Sequence, residues 1–502
     1  MFKNQTNTED MVWKGYERIL FRLAFIYFFL QVFPLDWKYY RHLFSINWLD
    51  ISFAELFKVA KYTPQFVSGT YHPHDWGLAT FADWLFIFLV AIVGAIIWTF
   101  LDKKNKAYPK LYAWLRIFVR YRLAIAVLAY GFLKLFALQA PYPSLSSLNT
   151  PYGDFSSWKL FSLSLGIVPG YQAFLGAVEL TAGILLLFRR TTVIGATIII
   201  FFTGNVFMSN LAYEGGEVVY SFYLVTLALF LIVYDLQRII SLIVLHIPVA
   251  PAQPALIWSN QLMIFRLIAK SLVVLLFVVI YGFSAHGSAA KGGYHFSHQP
   301  GIKGLRGLYT VTSFKINGEE RPYSLRDSIR WQDVVFEKWA TFSVKVNHSA
   351  DVPGDNIENV PARQEESSFE RAGTRGRIYF NYTADTVKHT LLLNSEGSGE
   401  IRSDVPARKK NIPAAVPVKK SSAATIGADH QTSAAAQDSA SAAIEDSGYP
   451  TTSTVTYQLA SDATVVISGI INGNRIEAVL QKSPKKYLLK EAEKGRSKGL
   501  KL

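Results

Sequence analysis

The residues of this chain that could do chemistry are a lysine and several carboxylates and amides set inside or beside long apolar runs. Lys134 lies in AYGFLKLF, Glu179 in FLGAVELTAGILLLF, and Asn205 and Asn210 in IIIFFTGNVFMSN. Glu214 and Glu217 follow in the next turn, and Asp154 lies in the polar stretch between the first two runs. A charge at hydrocarbon depth is costly, so such residues pair with one another, relay protons or hold a polar ligand. Antiparallel neighbouring helices would bring Lys134 to Glu179, with Asn205, Asn210, Glu214 and Glu217 at the same end of the bundle. The pattern predicts a polar cluster open to one membrane face, with Tyr142, Tyr152 and Asp154 folding over it from 139–170. The competing reading is a buried ion pair that fixes helix register.

Two histidine groups could supply metal ligands. His72, His74 and Asp75 precede one apolar run, and His286, His295 and His298 follow another. Their nitrogens suit a metal, but neither spacing is that of a known site, so no metal is expected. No histidine pair lies within the apolar runs, so no haem is expected either. The absence of cysteine excludes thiol–disulfide chemistry and cysteine-ligated clusters. The sequence holds no phosphate-binding glycine loop, nucleophile elbow or HExxH.

The elements that must position these groups come in two classes. Of the 502 residues, 50% are hydrophobic, and they are concentrated before about Ser284. That asymmetry predicts an α-helical membrane domain over 1–300 followed by a water-soluble portion. Seven spans are expected, at 11–33, 81–101, 115–138, 171–188, 193–212, 218–234 and 263–283. Lys103, Lys104, Lys106, Lys110, Arg116, Arg120 and Arg122 cluster between the second and third, and Arg189-Arg190 and Arg238 mark later connections. By the positive-inside rule the N-terminus is cytoplasmic and the C-terminal portion external. The net charge of +14 is thereby placed by topology, and nucleic acid is not expected as a partner. In the external segment 35–80, Leu49, Phe53, Leu56, Phe57 and Ala60 fall at helical spacing. They predict an amphipathic helix on the outer membrane face or packed on the bundle. Lys38, Arg41, Lys58 and Lys61 in that segment run against the charge rule.

Beyond Gly301 the period changes from helix to strand. GLYTVTSFKINGEE, WQDVVFEKW, ATFSVKVN, GRIYFNYTAD, HTLLLN, TVTYQLAS, TVVISGIING and NRIEAVLQK alternate, with a hairpin signal at Asn317-Gly318. They predict an antiparallel barrel or sandwich in two parts, 301–394 and 454–483. Between them, 395–453 is rich in Ala and Ser and reads as a low-complexity insertion. Asp351–Thr374 reads as a polar loop, and 484–502 as a basic tail.

Over 115–236 the sequence resembles the DoxX family of small four-helix membrane proteins. The resemblance rests on Tyr130-Gly131-Phe132-Leu133-Lys134, on Phe174 to Glu179 with Gly183 and Leu185 to Phe188, and on Asn205 with Asn210. It implies a bacterial inner-membrane protein with a periplasmic β-domain, associated with a quinone or with an oxidoreductase complex. In that setting Lys134 would polarise a quinone carbonyl and Glu179 would relay its proton, with Asn205, Asn210, Glu214, Glu217 and Asp154 around the headgroup. The alternative, from another class, is a non-enzymatic envelope factor whose β-domain binds a lipid or protein partner. A transporter is not favoured, because the helices show no repeat.

Overall fold

The computed structural model describes residues 13–64, 66–67, 78–105, 107–249, 259–347, 369–394, 452–461, 463–471 and 473–489. The insertion at 395–451, the first part of the polar loop, and most of the basic tail lie outside them, as do His72, His74 and Asp75.

The helical part comprises α1 (Gly15–Val32), α2 (Trp37–Ser45), α3 (Phe53–Ala60), α4 (Ala82–Leu101), α5 (Pro109–Leu135), α6 (Leu145–Leu148), α7 (Ser157–Gly166), α8 (Pro169–Leu186), α9 (Thr192–Ala212), α10 (Val218–Val233), α11 (Leu236–Ile243), α12 (Asn260–Val274) and α13 (Tyr281–Ala290). A π-helical turn, Leu275–Ile280, joins the last two into one long helix. Among the described residues, 4 helical stretches are long and apolar enough to cross a membrane: Gly15–Ser45, Ala82–Leu101, Arg189–Ala212 and Asn260–Ala290. Counting the bent pairs α7–α8 (96°) and α10–α11 (70°) raises the number to 6. The chain is therefore a membrane protein by its helices. The long helix α5 falls outside this count because Lys110, Arg116, Arg120, Arg122 and Lys134 all lie within it.

That placement corrects the sequence reading of the second connection. The third helix runs from Pro109 to Leu135 rather than from 115 to 138, so Lys110 joins Arg116, Arg120 and Arg122 within the helix and the connection before it is shorter. Proline suits this first position, where its missing N–H has no helical partner to lose. α5 packs most closely on α8. A Cβ on Gly131 would stand 2.9 Å from the Leu180 nitrogen, and one on Gly176 would stand 2.8 Å from the Leu135 Cα. Only glycine lets these two backbones meet so closely.

The soluble part is a closed antiparallel barrel of eight strands. Its strands are β1 (Gly307–Ile316), β3 (Asp333–Phe336), β4 (Thr341–Lys345), β5 (Arg377–Asp385), β6 (Thr390–Asn394), β7 (Thr452–Ser461), β8 (Thr464–Ile471) and β9 (Asn474–Lys482), each paired with the next and β9 paired back to β1. A two-residue strand, β2 (Glu319–Glu320), returns from β1 through Asn317 and Gly318, whose φ values of 54° and 88° both suit the tight hairpin that sequence predicts. Alternation along each strand sends one set of side chains inward. Phe342 and Val344, Ile378 and Phe380, Val465 and Ile467, and Ile476 and Ala478 are all buried there. Aromatic rings fill the interior: Phe342 stacks on Phe380 at 4.9 Å, and Phe314 meets Trp331 at 5.5 Å.

Candidate functional site

Lys134 and Glu179 come together as the sequence predicts. The Lys134 Nζ donates to Glu179 Oε1 at 2.5 Å, and both residues are buried, 4% and 5% exposed. The close α5–α8 contact at Gly131 and Gly176 brings the two side chains within reach. The Phe202 ring lies 5.5 Å from the ammonium. Glu179 Oε2 is buried and has no hydrogen-bond partner among the described residues.

The other predicted members do not join this pair. Asn205 is exposed on α9, and Asn210 folds back on its own helix, its Nδ2 donating to the Val206 carbonyl at 3.0 Å. Glu214 is exposed in the α9–α10 turn with φ 55°. Glu217 is buried and forms an ion pair with Lys61. Asp154 lies against the barrel, where its carbonyl accepts from the Arg375 nitrogen at 2.7 Å. Tyr152 is exposed. A single cluster open to one face is therefore not what these residues build.

A second polar centre, which sequence reading missed, forms where α3 enters the bundle. Nearly all of α3 is buried, packed against α5 and α13 through Leu56, Phe57, Ala129, Leu133, Tyr281 and Ala285. Its last carbonyls cannot be left without donors in an apolar setting. Tyr39 Oη donates to the Val59 carbonyl at 3.4 Å, Tyr220 Oη to the Ala60 carbonyl at 3.4 Å, and Arg122 to the Tyr62 carbonyl. Two cations, Lys61 and Arg122, thus sit at the C-terminal end of α3, where the helix dipole favours positive charge. The lysines of 35–80 that run against the charge rule include one fixed by Glu217.

The third centre lies outside the bundle, between the 139–170 segment and the barrel. Glu337, in the β3–β4 turn, accepts from the Ser146 nitrogen and Ser146 Oγ, both at 2.7 Å, and from the Leu145 nitrogen at 3.3 Å. Arg377 on β5 binds Asp333 at 2.6 Å, Ser343 Oγ at 3.0 Å and the Asn149 carbonyl at 3.3 Å. The Lys159 ammonium of α7 donates to the Phe369 carbonyl and lies 3.4 Å from that ring. Trp339 Nε1 donates to Glu370 Oε2 at 3.2 Å, and Glu370 Oε1 is buried without a hydrogen-bond partner among the described residues. Trp158, Phe296, Trp339, Phe369 and Ala372 close the contact. Phe369 to Thr374, read from sequence as polar loop, is therefore packed under α7. Lys485 and Tyr487, at the head of the basic tail, bind Asn149 at 2.8 and 2.6 Å.

Burial dominates the titration of this third centre. It pushes the Lys159 ammonium down to about 7, with the Glu370 charge pulling the other way. Burial, reinforced by Glu337, pushes the Glu370 carboxyl up to about 8. Glu337 is raised as well by burial, against the donors of Ser146 and Leu145. A raised carboxyl gives stability that is present below its unfolded value of 4.5 and is lost as pH rises through 8. A depressed lysine gives stability that is present above 10.5 and is lost as pH falls through 7. The docked barrel is accordingly expected to be weakest between pH 7 and 8 and to tighten by roughly 1 kcal/mol per unit toward pH 5. Hydrogen exchange of the α7 amides across pH 5 to 10 measures this, and Glu370→Gln should flatten the acidic side. Stability that climbs steadily from pH 5 to 7.5 would contradict it.

Among the described residues, no group of three or more His, Asp or Glu is placed to hold a metal. His286 packs on Phe136 at 5.3 Å, and His295 is buried and stacked on Tyr294 at 4.1 Å. The chain matches no family model, no curated protein and no solved structure.

Proposed function

We propose that the chain is a seven-span protein of a bacterial inner membrane, with a cytoplasmic N-terminus and a periplasmic barrel, that acts as a non-enzymatic envelope factor. The observation that carries this reading is the closure of Lys134 on Glu179: the pair is buried, and Asn205, Glu217 and Asp154 are engaged or placed elsewhere. The barrel interior is filled by its own rings, so recognition falls to the outer surface, and a protein partner suits it better than an enclosed lipid. The interlocked 139–170 segment fixes the barrel over the bundle, as a presented binding module requires. Likeness to the DoxX family over 115–236 is part of this proposal, and Gly131 and Gly176 of that likeness sit where α5 and α8 meet. One observation favours the quinone-linked reading: the unpartnered Glu179 Oε2, a buried acceptor able to take a ligand proton. The test is the quinone content of the full chain after extraction in mild detergent. Far less than one quinone per chain is expected, whereas a stoichiometric quinone would overturn the non-enzymatic reading.

A further inference from the structure

At the end of the bundle remote from the barrel, two helices each carry a pair of cations. Arg116 and Arg120 are spaced i, i+4 on α5, and Arg266 and Lys270 are spaced i, i+4 on α12. Val273 and Val274, one turn beyond Lys270, pack on the bundle core beside α5. Helical spacing puts Lys270 and Arg266 on that same bundle-facing side. Below these valines α12 buries none of its residues, so it stands off from the bundle. Arg120 and Arg266 are the charges that act on Lys270; on Arg120, Tyr121 acts first, its ring 5.1 Å from the guanidinium, and then Arg266 and Arg116. Among the described residues, Asp235 binds Arg116 at 3.1 Å and is shared with Arg238 at 2.9 Å. Arg120 is 9% exposed, and its Nε is buried with no hydrogen-bond partner among the described residues. The Lys270 ammonium lies 3.9 Å from the Phe188 ring.

Like charges brought together in a low-dielectric setting repel strongly, and a bound anion relieves the repulsion. We propose that the cleft between α5 and α12, lined by Arg120, Arg266 and Lys270, binds the phosphodiester of an anionic phospholipid. Depth selects a lipid over a free anion. Arg116, bridged to Asp235 just past the end of α10, is level with the interface, and Arg120 lies one turn, ~6 Å, deeper. A phosphate held there has its acyl chains beside the apolar residues that α12 exposes, among them Leu267, Ile268 and Leu272. Arginine suits the phosphate because its planar fork donates two parallel hydrogen bonds.

The experiment is native mass spectrometry of the full chain, purified in detergent and titrated with phosphatidylglycerol, phosphatidylcholine or inorganic phosphate. One phosphatidylglycerol per chain is expected to be retained preferentially, and the variant Arg120→Gln/Lys270→Gln should weaken that retention about 30-fold. Removing mutually repelling cations should leave the fold intact, which a melting curve checks. The comparison of the two lipids on the unaltered chain tests the proposal even if the variant misfolds. Equal retention of phosphatidylcholine, or displacement of the lipid by millimolar inorganic phosphate, would overturn it.

Discussion

Lys134→Met alone is expected to destabilise the helical bundle by about 3–5 kcal/mol, because it strands the Glu179 carboxylate in a buried, apolar contact. Glu179→Gln alone should cost a similar amount by stranding the ammonium. The double variant should recover most of the loss, since the pair gains little once its desolvation is counted. The geometry behind this expectation is specific: a single 2.5 Å bond, two buried side chains, and a second carboxylate oxygen without a hydrogen-bond partner among the described residues. Denaturant unfolding of the four proteins in lipid–detergent micelles measures the cycle, with the Trp fluorescence of the bundle as one probe. A double variant as damaged as either single one would mean that the residues do more than neutralise each other. If the double variant folds and keeps the cellular phenotype, the pair is structural, in line with the envelope-factor reading. If it folds and loses the phenotype, the pair is a site, and the redox reading takes precedence.

What sequence made legible, and what it hid, follows from the range of the interactions. The Lys134–Glu179 pair was readable because it needs only two adjacent antiparallel helices and glycines at their contact. The barrel was readable because period-two alternation and an Asn317-Gly318 turn are local signals. Its closure by β1 pairing with β9 adds one long-range contact. Arg122 was read only as part of the basic cluster that marks topology, because a basic residue near the start of an apolar run carries no sign that it caps a buried helix end. Its partner, the Tyr62 carbonyl, is 60 residues away. Asp154 was misplaced for a related reason: the stretch containing it reads as a loop free to cover the bundle, yet its backbone joins the barrel beside Thr374. Ser343 and Arg377 alternate with the inward-facing Phe342, Val344 and Ile378, yet the 139–170 segment lies over them and buries both. A second layer supplied from nearly two hundred residues upstream leaves no trace in the strand pattern itself.

The Glu337 carboxylate anchors that second layer, and Glu337→Leu is expected to undock the 139–170 segment. Its loss leaves the Leu145 and Ser146 amides buried without an acceptor, at about 1–3 kcal/mol for each orphaned donor. Ser146 Oγ is spared, since it can still bond Ser343 Oγ at 2.7 Å. Glu337→Gln keeps one acceptor oxygen, which can serve the Ser146 amide, and loses the one that faces the Leu145 amide; it should cost about half as much as Glu337→Leu, on the order of 1–3 kcal/mol for the single orphaned donor. The contrast between the two variants separates the hydrogen-bond role from the charge. Hydrogen exchange at Leu145 and Ser146 reports it directly, and protease cleavage within 139–170 reports the undocking. The helical bundle should keep its own stability in both variants, because its buried contacts are made by other residues. Full protection of Leu145 and Ser146 in Glu337→Leu would mean that Arg377 and the aromatic contact around Trp158 hold the segment without the carboxylate.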